Sequence, residues 1–176
     1  MDVLQVVGYK NAGKTTLVCE LLRHYNAQGR RSGTIKHDAH AFEPDVPGTD
    51  TWQHRRAGAA ATAITSPERT AWTMERPSTL DELLSDMERH SLDIVIVEGF
   101  KQERHNKIVL LRGEDDAELL RLSHVIAAAV RTPSEEIERL AASLGVPLFV
   151  TGEYNWSALL AKLPGLSHRT TGTVGS

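Results

Sequence analysis

Cysteine is almost missing: Cys19 is the single one in 176 residues. That excludes an internal disulfide and any Cys-x-x-Cys metal or redox motif, and it fits a small helical residue in a reducing compartment. No apolar run approaches the roughly 18 residues of a membrane span. No signal-peptide pattern precedes the first apolar segment, so a cytoplasmic protein with no membrane partner is expected. Excess positive charge is lacking too. At a formal charge of −3 the chain has no basic field for nucleic acid, so an anionic ligand must be held by local groups. Repeats and low-complexity blocks are absent as well. A content of 40% hydrophobic and 24% charged residues suits a globular core, and 176 residues are the length of one domain and not of two full ones.

What is present is Gly8-Tyr9-Lys10-Asn11-Ala12-Gly13-Lys14-Thr15-Thr16, the pattern of a phosphate-binding loop. Val3 to Val7 before it reads as a buried parallel strand. After it, Leu17, Val18, Leu21, Leu22 and Tyr25 follow helical spacing up to a stop at Gly29. A strand, a glycine loop and a helix start form the context in which backbone N–H groups cradle phosphates. Gly8, Asn11, Ala12, Gly13, Lys14, Thr15 and Thr16 are therefore the nucleotide-binding candidates. Lys14 would reach the β- and γ-phosphates, and Thr15 would bring its hydroxyl to Mg2+.

The second strand, Ser32 to His37, completes a βαβ unit and ends in Lys36-His37-Asp38, at the sheet edge where open α/β folds bind ligands. Asp38 is a candidate for the magnesium shell, and Lys36 and His37 for phosphate or substrate contact. Residues 39–56 read as a long loop closing with a short helix and carrying Asp45, Asp50, Arg55 and Arg56. His37, His40 and His54 have no firm ligand spacing, which argues against zinc. Residues 59–65 and 70–75 flank the turn Ser66-Pro67-Glu68-Arg69 and predict a hairpin, placed at the sheet edge or projecting toward another chain. A helix capped by Ser78 or Thr79 leads to Ile94-Val95-Ile96-Val97-Glu98-Gly99. An acid at the tip of a buried strand resembles the second signature of phosphate-loop proteins, so Glu98 is the preferred magnesium ligand. Lys14, Glu98 and Asp38 form the catalytic set.

Further strands are expected at 107–111, 125–130 and 146–150, with helices after Glu114-Asp115-Asp116, after Ser134 and around Trp156 to Leu163. The fold class is α/β: a mostly parallel sheet of the phosphate-loop NTPase type sandwiched between helices, with an inserted hairpin at 59–75. Residues 1–163 form one nucleotide-binding domain and 164–176 a flexible tail.

The phosphate loop, Thr34-Ile35-Lys36-His37-Asp38, the Asp45-x-x-Gly48-x-Asp50 and Arg55-x-x-Gly58-Ala59 segments, and Val97-Glu98-Gly99-Phe100-Lys101 together resemble the molybdopterin-guanine dinucleotide biosynthesis adaptor family, protein B. The resemblance implies a homodimeric, weakly hydrolytic GTP-binding protein, with magnesium. Such a protein assists the guanylyltransferase that attaches GMP to molybdopterin. Lys101, closing the last segment, becomes a further candidate for phosphate or substrate contact. GTP comes from the resemblance, because Asn106-Lys107 runs on into Ile-Val and is not the guanine-reading Asn-Lys-x-Asp. Two other readings fit the loop: an ATP-dependent small-molecule kinase, and an interaction module without turnover.

Overall fold

The computed structural model describes residues 1–38, 41–152 and 155–163; His40 and the tail from 164 onward lie outside them. In chain order the elements are β1 (Asp2–Gly8), α1 (Lys14–Ala27), β2 (Ser32–Lys36), α2 (Asp50–Arg56), β3 (Ala61–Thr65), β4 (Thr70–Met74), α3 (Leu80–Glu88), β5 (Ile94–Glu98), β6 (Lys107–Leu111), a 3-10 helix (Glu114–Arg121), β7 (Val125–Val130), α4 (Glu135–Ser143), β8 (Leu148–Val150) and α5 (Ser157–Leu160). They divide into two compact units. One comprises Met1–His37 and the chain from Leu84 onward, the other Asp38–Leu83, with the boundary inside α3.

In the larger unit six parallel strands pair in the order β2-β5-β1-β6-β7-β8. Their near-continuous apolar runs follow from burial on both faces. On one face Leu4, Val6, Ile94, Ile96, Ile108 and Leu110 pack with Leu17, Leu21 and Tyr25 of α1 and with Trp156 and Leu159. On the other, Val7, Val109 and Leu111 pack with Leu119 and Leu120 of the 3-10 helix and Ile137 and Ala141 of α4. Each fully buried Leu, Ile or Val contributes about 1.5–3 kcal/mol relative to exposure. The two clusters therefore dominate the energetics that hold the strand tips in place. β1 and β2, consecutive through α1, are not neighbours, because β5 lies between them.

Several elements start and stop where side-chain chemistry dictates. The Ser134 hydroxyl accepts from the Ile137 N–H at 3.3 Å and caps α4. β8 begins at Leu148, later than the expected 146, because the Val146 N–H closes α4 on the Ala141 carbonyl and Pro147 has no N–H. The acidic turn at 114–116 is itself part of the 3-10 helix. Asp116, 1% exposed, accepts from the Arg112 N–H at 2.9 Å and from its guanidinium at 2.8 and 2.6 Å.

In the smaller unit the hairpin forms a two-stranded antiparallel sheet of its own, not an edge of the larger one. Thr79 and Glu82 make a capping box: the Thr79 N–H donates to the Glu82 carboxylate at 2.9 Å, and the Glu82 N–H to the Thr79 hydroxyl at 3.2 Å. Arg55, its side chain 12% exposed, binds Glu43, Asp45 and Glu75 at once. Its guanidinium hydrogen bond holds the Glu43 carboxyl below the usual range. On the hairpin Ile64, Trp72 and Met74 are 56%, 73% and 50% exposed.

Hydrogen bonding by Arg112 holds the Asp116 carboxyl below its ordinary range, against the opposing effect of burial. Asp116→Asn is expected to lower stability by about 1–3 kcal/mol at neutral pH. Because folding depresses this pKa, the stabilisation is complete above the unfolded value of about 3.9 and is lost as pH falls through the folded one. Urea unfolding at about pH 7 and about pH 2 checks this: the gap between wild type and variant should narrow in acid. A gap unchanged by pH would contradict it.

Candidate functional site

The site forms where β1 stops. Gly8 ends the strand so close to β6 that a Cβ would lie 2.9 Å from the Leu110 carbonyl oxygen and 3.1 Å from the Ala12 Cβ. From there the loop turns through positive φ at Asn11 (64°) and Gly13 (94°), and Gly13 is the N-cap of α1. Positive φ at the cap is available to glycine at no steric cost. The Gly13 carbonyl accepts from the Leu17 N–H at 3.0 Å, and the earlier N–H groups of the helix have no intrahelical partner. With no side chain capping them, they face the loop with the positive end of the dipole.

Lys14 donates from Nζ to the Tyr9 carbonyl at 2.9 Å, so its ammonium folds back over the loop. Thr15, one residue on, donates from Oγ1 to Glu98 Oε2 and Oε1 at 3.2 and 3.4 Å. Glu98 is 8% exposed at the tip of β5 and in register with Val6 of β1. The Asn11 carbonyl accepts from Arg131 Nη2 at 3.0 Å, tying the loop to the end of β7. Tyr9 fastens the outer side: its hydroxyl donates to Glu118 Oε1, and the ring carries the Lys101 ammonium 5.4 Å and the Arg112 guanidinium 5.5 Å from its centre. The Glu118 contact pushes the phenol pKa up.

A family model described as molybdopterin guanine dinucleotide synthesis protein B matches residues 3–131. The chain belongs to this family. It is 41% identical over 140 residues to the molybdopterin-guanine dinucleotide biosynthesis adapter protein of Escherichia coli (strain K12), covering 76% of this chain and 80% of that one. It is 33% identical to the adapter protein of Haemophilus influenzae, covering 89% of each. Among solved structures it resembles a MobB protein homolog from Bacillus stearothermophilus (TM-score 0.68, 36% identity, 85% and 88% covered). Bacillus subtilis MobB aligns with a TM-score of 0.71 at 28% identity, over 94% and 99% of the two chains. The fold is thus the phosphate-loop NTPase-like α/β fold of MobB structures.

Within this MobB fold the residues singled out by sequence separate into groups. Gly8, Asn11, Ala12, Gly13, Lys14, Thr15, Thr16 and Glu98 come together at the tips of β1 and β5. Lys36 ends β2 opposite Glu98 in register and is exposed. The His37 N–H donates to the Glu98 carbonyl at 2.9 Å and its ring lies 4.7 Å from Phe100, so it braces the tip of β5. Asp38 is exposed and opens the smaller unit. Among the described residues no three His, Cys, Asp or Glu converge as a preformed metal cluster. The Thr15 hydroxyl and Glu98 carboxylate are hard oxygen donors of the kind Mg2+ takes in ones and twos alongside substrate phosphates. Sequence reasoning missed Tyr9, Arg131, Gln5 and Lys107. Arg131 had a usable signal, as the first residue after a buried strand at the ligand-binding edge.

Gly8→Ala is expected to cost about 1–3 kcal/mol, since the clashing atom is a backbone oxygen that cannot swing aside. Thermal unfolding should show a Tm lower by a few degrees, at about 2–4 °C per kcal/mol for a chain of this size. An unchanged Tm would contradict the close approach of β1 and β6.

Proposed function

We propose that the chain is an adapter of molybdopterin-guanine dinucleotide biosynthesis that binds GTP with magnesium and hydrolyses it slowly. The observation that carries the reading is the Thr15 hydroxyl bonded to the Glu98 carboxylate beside an open helix N-terminus. Family membership and the names of the relatives supply the pathway. In this reading the N–H groups of the loop and Thr16 hold the phosphate chain, and Lys14 leaves the Tyr9 carbonyl for the β- and γ-phosphates. Thr15 and Glu98 would hold Mg2+, which would supply neutralisation of the negative charge on the phosphates. Lys36 and Lys101 meet phosphate or substrate at the rim.

Slow turnover fits the loop's composition. Phosphoryl transfer is driven by positioning and charge neutralisation, and the loop itself contains no arginine. The partners in this reading are molybdopterin and the guanylyltransferase that modifies it, together with a second copy of the chain. Exposed Ile64, Trp72 and Met74 on the hairpin support a protein contact there. Among the described residues no helix is long and apolar enough to cross a membrane.

Calorimetric titration with non-hydrolysable GTP and ATP analogues, with and without magnesium, tests the proposal. A magnesium-dependent preference for GTP is expected, with affinity falling by about 100-fold or more in Lys14→Ala, a loss of about 2.7 kcal/mol. Unchanged affinity in that variant would remove the nucleotide from the account. Preference for ATP with phosphate passing to an acceptor would favour a kinase, and no nucleotide binding at all an interaction module.

A further inference from the structure

The connection from β5 to β6 contains no helix. Eight residues, Gly99 to Asn106, carry the chain from the tip of β5 back to the start of β6, and β1 lies between those two strands. Parallel crossovers usually take a dozen residues or more and a helix that satisfies its own backbone. A shorter, irregular crossover leaves carbonyls that need donors from elsewhere. Two polar side chains in otherwise apolar strands supply donors to three of them, at Gly99, Phe100 and Glu103. Gln5, 0% exposed, donates from Nε2 to the Gly99 carbonyl at 3.2 Å and the Phe100 carbonyl at 2.9 Å. Lys107, also 0% exposed and opposite Gln5 in the β1–β6 register, donates from Nζ to the Glu103 and Ser123 carbonyls at 2.6 and 2.7 Å.

The turn that Gln5 holds is strained and follows directly on Glu98. Gly99 has φ 98° and Phe100, a non-glycine residue, φ 52°. Glu98 shares the face of Val6 and α1, while Gln5 shares the opposite face with Val7. Within two residues the chain therefore passes from the Thr15 side of the sheet to the Gln5 side. Gln5 Oε1 is buried without a hydrogen-bond partner among the described residues. That cost falls on a position where an apolar side chain would avoid it, so what Gln5 contributes is its pair of donors.

We propose that Gln5, backed by Lys107, is a positioning residue for Glu98: by clamping the Gly99–Phe100 turn it aims the carboxylate at Thr15 and sets the magnesium-dependent part of nucleotide affinity. The proposal rests on the magnesium–nucleotide reading of the site. Gln5 lies on the face of the sheet opposite to Thr15 and Glu98, so its removal should leave the metal-free contacts of the loop intact. The readout is the ratio of affinities for a non-hydrolysable GTP analogue in magnesium and in EDTA.

Gln5→Met keeps the volume and removes both donors. The magnesium enhancement should fall by about tenfold or more, as for other residues that orient a ligand from behind, while affinity in EDTA stays within about twofold of wild type. Gln5→Glu retains one donor when its buried carboxyl is protonated. Its enhancement, relative to wild type at the same pH, should rise as the pH falls, with Lys107 opposite favouring the ionised carboxylate and moving the rise toward acid; this profile decides the matter if Gln5→Met does not fold. Glu98→Gln marks full loss. A wild-type protein with no magnesium enhancement would overturn the underlying reading. Enhancement present in wild type, lost in Glu98→Gln, but retained in Gln5→Met or flat with pH in Gln5→Glu would overturn the role of Gln5 alone.

Discussion

The register of β1 against β5 is the constraint on which the site depends. Val6 lies opposite Glu98, so the carboxylate emerges beside the start of the glycine loop and on the face that α1 covers. Because α1 begins directly after Gly13, Thr15 in its first turn meets that carboxylate. A slip of one residue would send Glu98 to the other face and leave Thr15 without its acceptor. The slip is opposed by every buried pair along the two strands, since Leu4, Val6, Ile94 and Ile96 would lose their place in the α1 cluster. Apolar packing that has no part in phosphate chemistry thereby sets the face of the sheet on which Glu98 emerges.

Much of this was legible in the residues. The glycine loop could be read because strand and helix periodicities meet at Gly8 and Lys14, and β5 because four apolar residues end in Glu98. The order of the strands could not. Buried parallel strands are apolar on both faces and carry no mark of which neighbour they take, so the insertion of β5 between β1 and β2 had no local signal. Gln5 and Lys107 stand in apolar runs with no local partner in the sequence. Their purpose depends on a crossover that approaches them only in three dimensions. The start of β8 failed for a smaller reason, the closure of α4 on Val146.

The smaller unit shows a different economy of charge. Asp45 and Arg55 read in sequence as charges carried by a long loop, yet they bond to each other, and Arg55 also holds Glu43 and Glu75. One guanidinium thus ties the 43–45 loop and α2 to the residue that follows β4. The loop is ordered locally by these pairs, while the hairpin leaves Trp72 and its apolar neighbours in solvent. The ion pairs of Arg55 and the exposed apolar side chains of the hairpin thus belong to one and the same unit.

In the function proposed above, Thr15 and Glu98 form a magnesium site that nucleotide phosphates complete. Electron paramagnetic resonance of Mn2+, a close substitute for Mg2+, tests it most directly. Wild-type protein should immobilise Mn2+ when a non-hydrolysable GTP analogue is present and very little in its absence, and Thr15→Val should abolish the nucleotide-dependent part. Mn2+ immobilised to the same extent in Thr15→Val, or without nucleotide, would contradict the claim.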